Sequence, residues 1–107
     1  MKAVILAAGV ARRLYPLTYT IPKCLLEVGN KTILDRQLEA LKSSGITDII
    51  MVVGYYRESI IGHVRDNFPD INCEFVINHH YFETNTAYSL HLCSNLIKDQ
   101  PFVLMNA

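Results

Sequence analysis

Ala3-Val4-Ile5-Leu6-Ala7-Ala8-Gly9 is the stretch that decides the fold. An unbroken apolar run without alternation has no solvent-facing side, so as a strand it needs cover on both faces, and the glycine directly after it ends the run at a turn. The same pattern recurs further along. Asp48–Val53 (DIIMVV) is a second buried strand ending at Gly54, Glu74–Ile77 (EFVI) a third, and Phe102–Met105 a fourth. Helical patterns separate them. Thr32 and Asp35 form a capping box, Leu34, Leu38 and Leu41 then recur at helical spacing, and Gly45 supplies the C-cap. Arg57–Phe68 is a second helix closed off by Pro69. Ala87, Leu90, Leu92, Cys93, Leu96 and Ile97 mark a third, capped by Thr84 or Asn85. Strands alternating with helices predict right-handed βαβ units. The expected architecture is α/β: a three-layer, Rossmann-like parallel sheet with helices on both faces, truncated after the fourth strand.

With 107 residues, 50% of them hydrophobic, the chain has the size and apolar content of one domain. Ten Lys plus Arg balance ten Asp plus Glu, so no global basic field draws it to nucleic acid or to an anionic membrane. Phosphate binding, if present, has to be local. Cys24, Cys73 and Cys93 are odd in number and lack metal-ligand spacing, which predicts reduced core residues. No segment reaches the roughly 20 apolar residues of a membrane span. The first apolar run is also too short for a signal segment and leads into Gly9 and two arginines, so a cytoplasmic location is expected.

In open α/β sheets ligands bind at the carboxyl ends of the strands, which directs attention to the segments after Ala8, Gly54, Asn78 and Met105. The first is the richest. Ala7, Ala8, Gly9 and Ala11 allow close backbone approach to an anion, and Arg12, Arg13 and Lys23 add positive charge, a combination suited to a triphosphate. It is neither a Walker A loop nor G-x-G-x-x-G, because Gly9 stands alone. The long stretch from Gly9 to Lys31, broken by Pro16, Pro22 and Gly29, is of the length that usually serves a site. In the segment from Asn78 to Leu90, Asn78 and Asn85 carry donor and acceptor groups able to read a pyrimidine edge, and Tyr81 or Tyr88 is suited to stacking on a base or meeting a quaternary ammonium. A helix cap at Asn85 and core packing of Tyr88 are the structural alternatives. His79 and His80 lack a partner at metal spacing, Asp35 and Asp48 sit at element boundaries, and Glu83 is the only acid in the expected crevice, so no metal ligand is assigned.

Leu6-Ala7-Ala8-Gly9-Val10-Ala11-Arg12-Arg13-Leu14, then Pro16-Leu17-Thr18, then Pro22-Lys23, resembles the signature of the sugar-nucleotidyltransferase superfamily, L-A-A-G-x-G-[ST]-R-[LM]-x-P-L-T followed by P-K. The resemblance extends over essentially the whole chain and identifies residues 1–107 as the N-terminal nucleotide-binding part of such a domain. It implies that Leu6, Ala7, Ala8, Gly9 and Ala11 cradle the nucleotide, that Arg13 meets the β and γ phosphates, and that Lys23 meets the α phosphate. Ala11 stands where the family usually has glycine, and Arg12 where it has serine or threonine. The Asn78–Leu90 segment lacks the Q-x-x-P-x-G motif of the sugar-1-phosphate thymidylyl- and uridylyltransferases. It resembles instead the N-x-x-Y-x-x-x-N-[NT]-x-Y-S-L segment of phosphocholine cytidylyltransferases.

The implied reaction transfers NMP from an NTP, by this segment CTP, to a phosphorylated small alcohol such as phosphocholine, with release of pyrophosphate. Two other readings stay open: a sugar-1-phosphate nucleotidylyltransferase, and a non-catalytic regulatory domain of the same fold, suggested by Ala11 and Arg12. The family's Mg²⁺ is held by an aspartate at the end of the fourth strand, and the chain stops one residue short of the matching position, so the 107 residues alone are expected not to turn over. The apolar fourth strand is expected to leave an edge able to pair with another chain.

Overall fold

The computed structural model describes residues 1–10, 14–81, 86–98 and 100–107. Its strands are β1 (Lys2–Ala7), the short pair β2 (Glu27–Val28) and β3 (Lys31–Thr32), then β4 (Asp48–Val53), β5 (Asn72–Ile77) and β6 (Phe102–Asn106). Its helices are α1 (Ile33–Ser43), α2 (Arg57–Asn67) and α3 (Thr86–Leu92). β5, β4, β1 and β6 form one sheet in that order, every neighbouring pair parallel. β1 is therefore interior, and Ala3, Val4 and Ile5 have no exposed surface, as an apolar run without alternation requires.

Side chains alternate between the two faces of the sheet. Ala3, Ile5, Met51 and Val53 pack with Leu34, Leu38 and Leu41 of α1 and Ile60 and Val64 of α2. Val4, Leu6, Ile50 and Val52 pack with Cys93 and Ile97 on the opposite side. Helical cover on both faces is thus as the patterning predicts. The ends of α1 match their local signals too. The Thr32 hydroxyl accepts the Asp35 N–H at 3.0 Å and the Asp35 carboxylate accepts the Thr32 N–H at 3.0 Å, while Gly45 takes a left-handed φ of 80° just beyond the last turn.

Four local expectations are corrected. The stretch from Gly9 to Lys31 contains a 3-10 turn at Lys23–Leu25 and the β2–β3 hairpin, whose turn uses Gly29 at φ 75° and is tied to α1 by Arg36, which donates to the Val28 carbonyl at 2.5 Å. α2 ends at Asn67, with Phe68 as its C-cap. β5 begins two residues earlier than Glu74, because pairing with β4 extends to Asn72, opposite Asp48. The third helical pattern is not one helix: α3 ends at Leu92 and a separate 3-10 turn, Ser94–Leu96, carries the chain on to Ile97. The caps expected at Thr84 and Asn85 lie outside the described residues.

β6 is an edge strand among the described residues, with Leu104 47% exposed. No helix among them is long and apolar enough to cross a membrane.

Candidate functional site

The register levels the strand ends. Ala7 lies beside Val53, Val53 beside Ile77, and Leu6 beside Asn106, so the segments leaving β1, β4, β5 and β6 start from one edge of the sheet. A cleft of about 240 Å³ opens there between the end of β1 and the 3-10 turn, with Leu6, Ala7 and Gly9 on one wall, Pro22, Lys23 and Cys24 on the other, and Asn106 and Ala107 also lining it. Among the described residues, a Cβ added at Gly9 would meet no atom within 4 Å, so the space beside Gly9 is open.

Lys23 is placed by its neighbours. Pro22 and Cys24 are buried on either side of it, and the Leu26 N–H closes the turn on the Lys23 carbonyl. Cys24 is 2% exposed, and burial pushes its thiol up to about 12, making it an inert anchor beneath the lysine. The ion pairs among the described residues are Lys31–Glu39, Lys42–Asp70 and His63–Asp35. None of these pairs includes Lys23, which lines the cleft.

The structure thus brings Leu6, Ala7, Gly9 and Lys23 together. Ala8 is not among the residues lining this cleft: its side chain packs with Val4 and Leu6, and its carbonyl accepts the Tyr55 N–H at 3.1 Å. Ala11, Arg13 and Asn85 lie outside the described residues.

Asn78 is 1% exposed. Its amide donates to the Ser89 hydroxyl at 3.2 Å, its side-chain oxygen accepts the His80 N–H at 2.9 Å, and its backbone N–H binds the Val53 carbonyl at 2.7 Å. These bonds tie β4, β5 and α3 together. Tyr81 packs over Gly54, where any Cβ would come within 2.8 Å of the Tyr81 Cβ and 2.9 Å of the Asn78 carbonyl. Tyr81 lines a second cleft of about 240 Å³ with Tyr56, Arg57 and Ser59, whereas Tyr88 is 36% exposed on α3. Neither tyrosine lines the Lys23 cleft.

Gly54, Tyr55 and Tyr56 escape a reading based on motifs, yet they directly follow a buried strand, and position alone marks them. No group of three or more His, Cys, Asp or Glu among the described residues is arranged to hold a metal, and the Lys23 cleft is lined without a carboxylate. The donors present do not fit Mg²⁺ by themselves.

The family profile described as "Nucleotidyl transferase" matches residues 2–107. The chain is 41% identical over 92 residues to the choline-phosphate cytidylyltransferase of Streptococcus pneumoniae, covering 86% of this chain and 38% of that protein. It is 45% identical over 89 residues to the CTP:phosphoglutamine cytidylyltransferase of Campylobacter jejuni, covering 83% and 34%. A mannose-1-phosphate guanyltransferase of Neurospora crassa is 36% identical, with 100% of this chain and 30% of that protein covered. The solved structure of the CTP:phosphocholine cytidylyltransferase from Streptococcus pneumoniae superposes with a TM-score of 0.81 at 38% identity, over 94% of this chain and 42% of that one. The chain therefore spans about a third of the length of the curated relatives it matches.

Proposed function

This chain belongs to the nucleotidyl transferase family, and from that premise we propose that it forms the nucleotide-binding part of an enzyme that transfers CMP from CTP to a phosphorylated small alcohol such as phosphocholine, releasing pyrophosphate. The observation that carries the proposal is the cleft at the end of β1, lined by both Gly9 and a Lys23 that enters no ion pair among the described residues. A triphosphate is the ligand that such a site favours, combining close backbone approach with one point charge. Cytidine is proposed because two relatives, with different acceptors, are both named as cytidylyltransferases.

In this reaction an oxygen of the acceptor phosphomonoester attacks the α phosphorus, its bond to the bridging oxygen breaks, and pyrophosphate leaves in line. The acceptor is already largely dianionic at neutral pH, its second pKa being about 6, so no general base is required of the protein. The chain's own contribution is positioning and charge: Lys23 holds the α phosphate and Gly9 lets the backbone close on the polyphosphate, with Arg13 assigned to the β and γ phosphates by family resemblance.

A thermal-shift titration with CTP, UTP, dTTP, GTP and ATP, each with and without Mg²⁺, tests this. A ligand that binds only the folded state, present at 100 times its Kd, stabilises by about 2.7 kcal/mol. We expect CTP to give that shift selectively and Lys23→Ala to abolish it. A GTP-selective shift would favour a sugar-1-phosphate guanylyltransferase, in keeping with the Neurospora crassa relative. The absence of any nucleotide shift would sink the proposal and favour a regulatory domain.

A further inference from the structure

Tyr55 sits just beyond β4 and touches both ends of the segment that follows β1. Its backbone N–H donates to the Ala8 carbonyl at 3.1 Å. Its hydroxyl donates to the Thr18 carbonyl, and the Tyr19 carbonyl lies 3.1 Å from the same hydroxyl. Each phenol has one proton to give. The neighbouring Tyr56 hydroxyl lies 3.1 Å from the Tyr19 carbonyl, so two hydroxyls serve two carbonyls, with the Tyr55 proton assigned to Thr18.

The arrangement is buried and braced. Tyr55 is 9% exposed and Thr18 has no exposed surface. Tyr56 meets the Tyr55 ring edge-on at 4.8 Å, and Tyr81 flanks it at 6.0 Å. Tyr56 adopts a left-handed backbone, φ 52° and ψ 39°, which bulky residues seldom take. Such a conformation persists where its surroundings hold it, and here it presents two adjacent phenols to one loop.

Ala8 leads directly into Gly9, one wall of the Lys23 cleft, while Thr18 and Tyr19 lead through Thr20 and Ile21 to Pro22 and Lys23, the other wall. We propose that Tyr55 is a positioning residue for the phosphate-binding side of the cleft, setting the separation of its two walls by holding Ala8 with its N–H and Thr18 with its hydroxyl. The proposal rests on the CTP reading above. Walls already fixed relative to each other lose less entropy when they close on a ligand, so the effect falls on the polyphosphate that both walls grip.

The test is Tyr55→Phe, which keeps the ring and removes one hydroxyl. CTP and CMP affinities are measured by calorimetry, and amide hydrogen exchange is followed over residues 14–19. We expect CTP binding to weaken about tenfold, the scale of one buried hydrogen bond, with CMP binding changed less than about twofold and exchange in 14–19 accelerated. Tyr56→Phe, which leaves the Tyr55 hydroxyl to serve two carbonyls, should lower CTP affinity by a smaller factor with the same preference over CMP. Equal weakening of CTP and CMP by Tyr55→Phe, or faster exchange with CTP binding intact, would leave Tyr55 a structural staple and overturn the inference. A wild-type chain that binds neither nucleotide removes the CTP reading and this role with it, an outcome distinct from wild-type CTP binding that Tyr55→Phe leaves untouched.

Discussion

On one face of the sheet two eleven-residue helices, α1 and α2, bury Leu34, Leu38, Leu41, Ile60 and Val64 against Ala3, Ile5, Met51 and Val53. On the other, the seven-residue α3 and a 3-10 turn cover Val4, Leu6, Ile50 and Val52 with Cys93 and Ile97. The first face has strong local stop and start signals at Thr32, Asp35, Gly45 and Pro69, and its helices arise where their own sequence places them. The second depends on longer-range bonds, such as those of Asn78 to Ser89 and of Lys2 Nζ to the Leu96 carbonyl at 3.3 Å. The two-helix face supplies the platform.

The comparison is tested most severely in the core of the thick face. Leu38 has no exposed surface, and Leu38→Ala should lower the free energy of unfolding by about 3 kcal/mol, while Ile97→Ala, at a site already 9% exposed, should cost about 2 kcal/mol. Urea titration measures both, and an Ile97 variant that costs more than the Leu38 variant would reverse the comparison.

Gly54→Ala should follow in size. The added Cβ meets the Tyr81 Cβ at 2.8 Å and the Asn78 carbonyl at 2.9 Å, and because backbone has to move, the expected cost is about 2 kcal/mol. Gly62→Ala in α2, where nothing lies within 4 Å, should instead stabilise by up to about 1 kcal/mol through helix propensity. Equal melting temperatures for the two variants would show that the approach of the β5 segment to Gly54 is not tight.

The smallest effect is pH-dependent and belongs to the clamp between α1 and α2, where the Asp35 carboxylate lies 2.6 Å from His63 Nε2. Partial burial by itself raises the Asp35 pKa, but the bonds from His63 and Thr32 outweigh it and hold the carboxyl below its usual range. A folded-state pKa below the unfolded value of about 3.9 means a stabilisation fully present above that pH and lost as pH falls through the folded value. Asp35→Asn should therefore cost about 1 kcal/mol at pH 7, chiefly from the capping box, and flatten the acid limb of the stability curve. Parallel urea midpoints for wild type and variant at pH 7 and pH 3 would contradict this.

Much of the platform was legible in the chain. The apolar runs at Ala3–Ala8 and Asp48–Val53 lie in interior strands apart from Ala8, which follows the end of β1 at Ala7, and the Thr32–Asp35 box opened α1 as its pattern required. Lys23, singled out by its motif, lines the same cleft as Gly9. The β2–β3 hairpin stayed hidden because two-residue strands are too short for any period to register. Ala8 shares the motif with Ala7 but packs in the opposite core cluster, a difference that depends on which elements cover each face of the sheet.

Periodicity, caps and small-residue turns act over a few residues, so the sequence by itself determined the order of the four sheet strands and of α1 and α2 between them, and the limits of α1. The lateral order β5-β4-β1-β6, the inward bonds of Asn78 and the reach of Tyr55 across 37 positions to Thr18 were decided only by the tertiary structure, because each joins groups that no local pattern brings together.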